Sequence, residues 1–190
     1  MSDEFDLLHQ LRIGGRVPPD RLTVDSVTVA MAANAGYVKV TDRGVTLTGG
    51  GLRKHLALLT SQVAATGRVS VEQSYDRFLQ VNKAVKDACA RWQCAGASAS
   101  DDDLLRTVDA LDKAFSRVDR ALATLGADYP RFGSYREGLG AALGRADTGD
   151  REAIADPRPD SFHSIWFACH EDFLVTLGRD REEDEQKEGE

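Results

Sequence analysis

The sequence predicts a mainly α-helical protein that carries one small β-hairpin near its N-terminus. Apolar residues recur at helical spacing through most of the 190 residues. Two short strand-like runs, 37–41 and 45–48, flank Asp42-Arg43-Gly44, and aspartate and glycine favour the turn of a hairpin. No run of about 18 apolar residues occurs, which excludes a membrane-spanning helix. The acidic start, MSDE, also argues against a signal peptide.

Three helical segments precede the predicted hairpin. An apolar stripe over 5–13 indicates the first helix, which the glycine pair 14–15 ends. The proline pair 18–19 opens a short second turn, because proline is tolerated at a first helical position. Thr23 or Asp25 caps the third helix. The core face expected for this third helix comprises Val24, Val27, Met31 and Ala35.

Three helices followed by a hairpin are the element order of a winged helix-turn-helix. The segment LTGGG, 47–51, precedes another helix and is similar to the LTxxG junction that closes the wing in MarR-type regulators. The opening LLHQLRIGGR resembles winged-helix segments found beside phosphoenolpyruvate-utilising enzymes in high-GC bacteria. This resemblance covers residues 1–60 and implies a winged-helix domain there. The alternative is a small α/β cap on a helical domain.

Residues 61–178 are expected to form an α-helical bundle domain. An apolar edge over 52–63 (Leu52, Leu56, Leu59 and Val63) leads into it, and a long helix is predicted over 71–93. Short connections favour antiparallel packing. After a small polar loop over 94–100, a further seam is expected to end at Gly126, with Asp128 capping the next helix. This seam comprises Leu104, Val108, Leu111, Phe115, Val118, Leu122 and Leu125.

The sequence does not decide whether this region forms a dimer, and it predicts a charged connection before the last helix. The seam can pack within the chain or across a two-fold axis, so a homodimer is one expectation. A charged loop over 147–160 is expected to precede a final helix over 161–177, with Gly178 as its stop.

The charge of the chain is unevenly distributed. The net charge is −7, but residues 1–60 hold seven Lys/Arg against six Asp/Glu. The segment 179–190 holds seven acidic and three basic residues, so we expect a disordered acidic tail. The three cysteines follow no paired ligand spacing, which indicates reduced thiols and a cytoplasmic protein.

Candidate DNA contacts lie in and around the third helix and the hairpin. DNA affinity comes largely from neutralising phosphates, and Arg43 falls at the expected wing tip. The helix itself, DSVTVAMAANAG, contains no basic residue, so docking to a protein is the competing interpretation. The candidate DNA-binding residues are Arg16, Arg21, Ser26, Thr28, Asn34, Lys39, Arg43, Arg53 and Lys54.

A second candidate site pairs the long helix with the C-terminal helix. Asn82 interrupts an apolar seam, and a buried amide needs partners, in the core or in a ligand pocket. The segments YDRFLQVNKAVKDACARWQ and DSFHSIWFACHEDFLVTLG resemble a helical domain that follows a winged helix in uncharacterised actinobacterial proteins, which implies a shared role without naming it. The candidate ligand-binding residues are Tyr75, Asn82, Cys89, Trp92, Gln93, His163, Trp166, His170 and Glu171.

The chemistry expected at these histidines is limited. His163 and His170 are seven residues apart, about 10 Å along a helix, which is too far for one metal ion. The alternative to ligand contacts is that His163 and His170 are core residues packed where two helices meet. Cys169 and His170 point about 100° apart, so they form no nucleophilic pair. We expect no metal, no cofactor and no catalytic residue.

The first functional hypothesis is a ligand-responsive winged-helix transcriptional regulator that binds double-stranded DNA and a small-molecule effector. The second is an accessory protein that docks to a protein partner, such as a phosphoenolpyruvate-utilising enzyme. The third is a small helical-bundle enzyme with His163 or His170 as an acid–base group.

Overall fold

The computed structural model describes residues 2–179, which fall into two compact units with their boundary between Gly67 and Arg68. The chain is mainly helical, as the apolar spacing predicts, and contains one small three-stranded antiparallel sheet within the described residues. No described helix combines the length and apolar character needed to cross a membrane. The predicted acidic tail, apart from Arg179, lies outside the described residues.

The first unit combines three helices with the sheet. Antiparallel pairing places the central strand between the other two, in the order β1-β3-β2. A 3₁₀ turn, Pro19–Arg21, stands where the proline pair predicts a helical turn. In chain order the elements are α1 (Asp3–Gly14), β1 (Arg16–Val17), α2 (Ser26–Asn34), β2 (Val38–Thr41), β3 (Gly44–Leu47) and α3 (Gly49–Thr66).

The predicted hairpin is present, and β1 is an addition to it. The β2–β3 pairing closes tightly around Asp42 and Arg43, with Thr41 opposite Gly44. β1 is not predicted, because a strand of two residues carries too little sequence pattern. It forms only through its pairing with β3. The core of this unit comprises Leu7, Leu8, Leu11, Val17, Ala32, Val38 and Val45.

The core face predicted for α2 is largely wrong, although Val24 packs against the core of the unit. Val27 is 62% exposed and Met31 is 67% exposed, whereas Ala32 is buried. Successive helical residues point about 100° apart, so burying Ala32 turns Met31 toward the surface. Packing against α1 and β2 determines which side of α2 is buried, and the small apolar residues of the helix fit against these elements.

The apolar edge predicted over 52–63 is also partly wrong. Leu52 and Leu56 are exposed, whereas Leu59 is buried as predicted, together with His55. These two buried residues are four apart and share one face of the helix. The buried face of α3 therefore includes a histidine that an apolar count overlooks.

The LTGGG junction positions the start of α3. The Thr48 hydroxyl donates to the carbonyl of Gly36 at 2.6 Å and accepts from the Gly51 N–H at 3.0 Å, which caps the helix. A Cβ on Gly51 would collide with the carbonyl oxygen of Tyr37. Glycine is needed here because the helix start approaches the backbone ahead of β2 so closely.

The second unit is a helical bundle. α5 packs between α4 and α6, and α8 packs against both α4 and α6. A capping box at Ser100 starts α5. Ser161 and Gly178 delimit α8, as predicted. The bounds are α4 (Val69–Ala95), α5 (Asp101–Asp128), α6 (Pro130–Asp147), α7 (Glu152–Ala155) and α8 (Phe162–Leu177).

Three boundaries in this unit differ from the prediction. α5 continues through Gly126, which packs against the next helix, and Tyr129 rather than Asp128 stands at the start of α6. The expected loop over 94–100 is mostly the end of α4 and a 3₁₀ turn, Gly96–Ser98. The charged loop over 147–160 contains α7, whose three alanine and isoleucine side chains are buried.

The apolar seam of α5 packs within the chain. Leu111, Val118, Leu122 and Leu125 are almost fully buried against neighbouring helices of the same unit. Most of the seam is thus already covered by helices of the same chain, although Val108 and Phe115 are half-buried. A homodimer formed through the seam is therefore not supported.

Candidate functional site

The outer face of the sheet carries positive charge. Arg16 on β1 and Lys39 on β2 both lie opposite Thr46 of the central strand. Cross-strand partners share a face of a sheet, so these three residues form one row. The alternate row contains Val17 and Val45, which are buried in the core. Arg16 and Lys39 are both exposed, so the polar row faces solvent.

Arg43 adds a third cation at the tip of the hairpin. It is exposed and lies beside Asp42, the acidic residue of the turn. Within residues 2–179, no ion pair involves Arg16, Lys39 or Arg43, whereas Lys54 of the same unit is paired. We call these three residues the cationic sheet face. Their charges are available to an anionic partner.

One side of α2 is uncharged and exposed. The helix contains no charged residue, and its two largest exposed side chains are apolar. The polar members of this side are Ser26 and Asn34. We call this surface the α2 face; it comprises Ser26, Val27, Ala30, Met31 and Asn34.

A negative charge is fixed at the N-terminus of α2. The Asp25 carboxylate accepts a hydrogen bond from the Thr28 N–H at 2.8 Å, and the Thr28 hydroxyl also contacts it. These hydrogen bonds, the backbone one first, hold the pKa of Asp25 below its ordinary value. Thr28, a predicted DNA contact, is half-buried, and its N–H and hydroxyl already contact Asp25.

The remaining predicted DNA contacts differ in whether they are exposed or held by an ion pair. Arg21 and Arg53 are exposed. Lys54 is held by Glu4 of α1 at 3.1 Å, and this hydrogen bond raises the pKa of Lys54. A nucleic acid would have to displace Glu4 to use Lys54.

The second predicted site brings α4 and α8 together. Trp166 donates its indole N–H to the Asn82 side-chain oxygen at 2.8 Å, and both residues are buried. The Tyr75 hydroxyl is hydrogen-bonded to His170 Nε2 at 3.1 Å. The two helices that carry this candidate site therefore face each other.

Packing accounts for the buried amide in this interface. Asn82 is only 1% exposed, and its oxygen already has a donor. The ring of Phe78 stacks on Trp166 with centroids 4.2 Å apart. These contacts give the buried amide a protein partner, so fixing the register of the two helices is a sufficient role for Asn82.

The other predicted ligand contacts have different surroundings. Gln93 donates to the carbonyl of Ala155 on α7 at 3.3 Å, and Trp92 lies under the Arg151 guanidinium. Cys89 is buried, and burial raises the pKa of its thiol to about 12. His163 and Glu171 are half-buried, and His163 lies against Phe167, 6.4 Å between ring centroids.

A buried ion pair between α6 and α8 was missed by the sequence analysis. Arg131 Nε donates to both carboxylate oxygens of Asp172 at 3.0 and 2.9 Å, and its Nη2 donates to Thr176. Burial, followed by the Asp172 charge, raises the pKa of Tyr135 beside this pair. An aspartate within an apolar helical stretch was the available signal, because a buried carboxylate requires a partner.

A buried histidine pair in the first unit was also missed. His9 Nδ1 of α1 lies 3.0 Å from His55 Nε2 of α3, and Phe5 stacks against both rings. The two residues are 46 positions apart. No local pattern links them, because only the packing of α1 on α3 brings them into contact.

In the described part of the chain, no group of three or more His, Cys, Asp or Glu side chains is placed to hold a metal ion. Neither a known family model, nor a curated protein, nor a solved structure matches the chain. The geometry of the two units is therefore the basis for any functional proposal.

Proposed function

We propose that residues 1–67 form a winged-helix domain of the MarR-like kind that binds double-stranded DNA, and that the protein is a transcriptional regulator. The observation that carries this proposal is the cationic sheet face, three exposed cations with no ion pair in residues 2–179. The succession helix, strand, helix, hairpin and the sheet order β1-β3-β2 support the same proposal.

The electrostatics favour a polyanion as the partner of this face. Neutralising phosphates and releasing their counterions provides most of the affinity of proteins for DNA. The net charge of −7 does not oppose this, because residues 1–60 are slightly basic and the excess acid lies further along the chain. With three unpaired cations, binding should be weak, and log affinity should fall with log salt with a slope of only about −3.

The test measures binding of the full chain to labelled duplex DNA by fluorescence anisotropy over a range of salt concentrations. Arg43→Ala and Lys39→Ala should each weaken binding, and each should reduce the slope of log affinity against log salt by about 1. The matched control is Arg120→Ala on α5, which removes one exposed cation from the second unit.

Two results would contradict the proposal. One is the absence of duplex binding at low salt. The other is an equal loss of affinity in Arg120→Ala, which would show that net charge rather than the sheet face controls binding.

A second candidate function, docking to a protein partner, is favoured by the α2 face. Val27 and Met31 are largely exposed, and exposed apolar patches often mark interaction sites. Met31→Asp should abolish capture of a partner from the native cell, whereas Leu105→Asp, at a 62% exposed position on α5, should not. The resemblance noted for residues 1–60 makes a phosphoenolpyruvate-utilising enzyme the partner to test first.

Effector binding by the second unit is the least supported element of the regulator proposal. The polar atoms joining Tyr75 to His170 and Asn82 to Trp166 are bonded to each other, so a ligand there would compete with existing hydrogen bonds. A co-purifying small molecule that is lost in His170→Ala would support an effector. Unchanged occupancy would leave His170 as a core histidine and would also argue against the enzyme hypothesis.

A further inference from the structure

We propose that His9 and His55 form an acid-sensitive latch, which holds α1 on α3 at neutral pH and releases it in mildly acidic solution. The latch consists of two imidazole rings in the core of the first unit, one on each helix. It regulates the fold of this unit, so it does not depend on which partner the unit binds.

The facing atoms of the two rings share a single hydrogen bond. His9 Nδ1 and His55 Nε2 are 3.0 Å apart, so one nitrogen must donate its N–H and the other must accept with its lone pair. If both rings were protonated, both facing nitrogens would carry a hydrogen and neither could accept. The hydrogen bond would then become a contact between two like charges. The folded latch therefore holds at most one charged ring.

The packing around the latch keeps the two rings together. His9 is 6% exposed and His55 is 1% exposed, so water does not solvate a second charge there. Phe5, one turn before His9 on α1, stacks on both rings with centroids 5.2 and 5.7 Å away. Two imidazolium rings could separate only if α1 moved away from α3.

The charged groups on the elements packed around the latch provide no surplus of negative charge. Glu4 of α1 pairs with Lys54 of α3 at 3.1 Å. Asp6 and Arg12, opposite in sign and half-buried, lie one turn before and one turn after His9. α2 and β3, which also pack on α1, contain no charged residue. The other charged residues of α1, α3 and β1 are exposed, and they are Asp3, Arg53 and Arg16.

This arrangement makes the first unit less stable as the pH falls. In an unfolded chain each imidazole takes up its proton independently, at about pH 6.5. Below that pH the unfolded state binds at least one proton more than the folded latch. Each extra proton raises the unfolding equilibrium constant about tenfold per pH unit. Release of α1 would also remove Leu7, Leu8 and Leu11 from the core, so acid should open the whole unit.

The experiment measures hydrogen–deuterium exchange of the full chain by mass spectrometry, from about pH 7.5 to about pH 4.5. Exchange is expressed as protection factors, which correct for the pH dependence of exchange itself. We expect protection in α1 and α3 to fall by at least about tenfold per pH unit below about pH 6. Peptides of α5, a helix without histidine, serve as the internal reference and should lose less. Unchanged protection of α1 would overturn the latch.

Two variants separate the histidines from the neighbouring ion pair. His55→Gln keeps an amide near the position of Nε2 but gains no proton, so the acid-induced loss of protection in α1 should disappear. Glu4→Gln is the matched control, because it removes the carboxylate of the Glu4–Lys54 pair between the same two helices. It should retain the wild-type loss. The reverse pattern would assign the acid sensitivity to the ion pair and overturn the latch.

A measurement on the unaltered chain avoids any folding defect of the variants. NMR of ¹⁵N-labelled histidine reports which ring nitrogens carry a proton. We expect one of the two facing nitrogens to be protonated and the other bare at neutral pH, and one ring to stay neutral as long as α1 is protected from exchange. Two fully protonated rings in a protected first unit would overturn the proposal.

Discussion

Buried polar side chains in this protein are satisfied by partners far away in the sequence. Asn82 bonds Trp166, and Arg131 bonds Asp172. Leaving such a group without a partner costs more than the net gain from one hydrogen bond. Each pair therefore fixes how its two helices are aligned.

Removing the amide of Asn82 should destabilise the second unit. Asn82→Leu is close in size but leaves the Trp166 indole N–H buried without its acceptor, so we expect a loss of about 1–3 kcal/mol in the free energy of unfolding. Urea denaturation followed by tryptophan fluorescence measures it. Asn34→Leu, at an exposed asparagine, should change stability by no more than about 0.5 kcal/mol. Equal effects would contradict the role of Asn82.

The three cysteines should differ in reactivity. Cys94 is exposed, whereas Cys89 and Cys169 are buried and their thiols have raised pKa values. Since the thiolate is the reactive form, a disulfide reagent should modify one thiol in the native protein and three after denaturation. Cys94→Ser should lose the native reaction. Rapid modification of a second thiol would show that the bundle opens readily.

Stability should fall in alkaline solution. The Cys89 thiol ionises near its ordinary pKa of 9.0 in the unfolded chain but only at about 12 in the folded one. The contribution of this thiol to the free energy of unfolding is thus fully present below pH 9. It is lost as the pH rises toward 12, because the unfolded state releases the proton first. Denaturation midpoints measured across this range test it. Cys89→Ala should show a smaller decline, and an unchanged decline would assign it to other groups.

At the scale of whole helices, the turn between α5 and α6 depends on a close approach of two backbones. A Cβ on Gly126 would lie 2.9 Å from both the Cα and the nitrogen of Gly133. That distance is shorter than real carbon contacts allow, so the glycine permits the helices to pack. Glycine disfavours helix by its intrinsic propensity, but Gly126 lies inside α5.

Two glycine-to-alanine substitutions should therefore have opposite effects. Gly126→Ala forces the α5–α6 pair apart, and we expect a loss of about 1–3 kcal/mol of stability. Gly144→Ala, at an exposed helical position with no atom within 4 Å, should add up to about 1 kcal/mol through helix propensity. Thermal denaturation compares them. A stabilising Gly126→Ala would show that the helices do not approach closely in solution.

At the scale of the molecule, each unit has a core of its own. The first encloses Leu7, Leu8 and Val45 among its fully buried residues, and the second encloses a group of aromatic rings around Phe78 and Phe173. Residues 1–60 are also nearly balanced in charge, whereas the excess acid lies further along the chain. The two units are thus distinct in composition as well as in packing.

The second unit should fold without the first. A fragment spanning 68–190 keeps every contact among α4, α5, α6 and α8, so we expect a cooperative thermal transition and a helical circular dichroism spectrum. The full chain serves as the comparison. A fragment that is unfolded or melts without cooperativity would show that the bundle needs the first unit for its stability.

The sequence by itself determined the features that depend on nearby residues. These include the hairpin around Asp42 and Arg43 and the limits of α8 at Ser161 and Gly178. Caps and tight turns are formed by hydrogen bonds and backbone angles within a few residues, so their signals are local. The mainly helical class follows from the same local periodicity.

Only the tertiary structure decided the features that join distant segments. It turned Met31 outward, paired His9 with His55 and gave Asn82 its partner on α8. It also aligned Arg16 and Lys39 across β3, which no spacing along the chain indicates. Such contacts depend on which helix faces and strands pack together, and packing is a collective property of the whole unit rather than of any short segment.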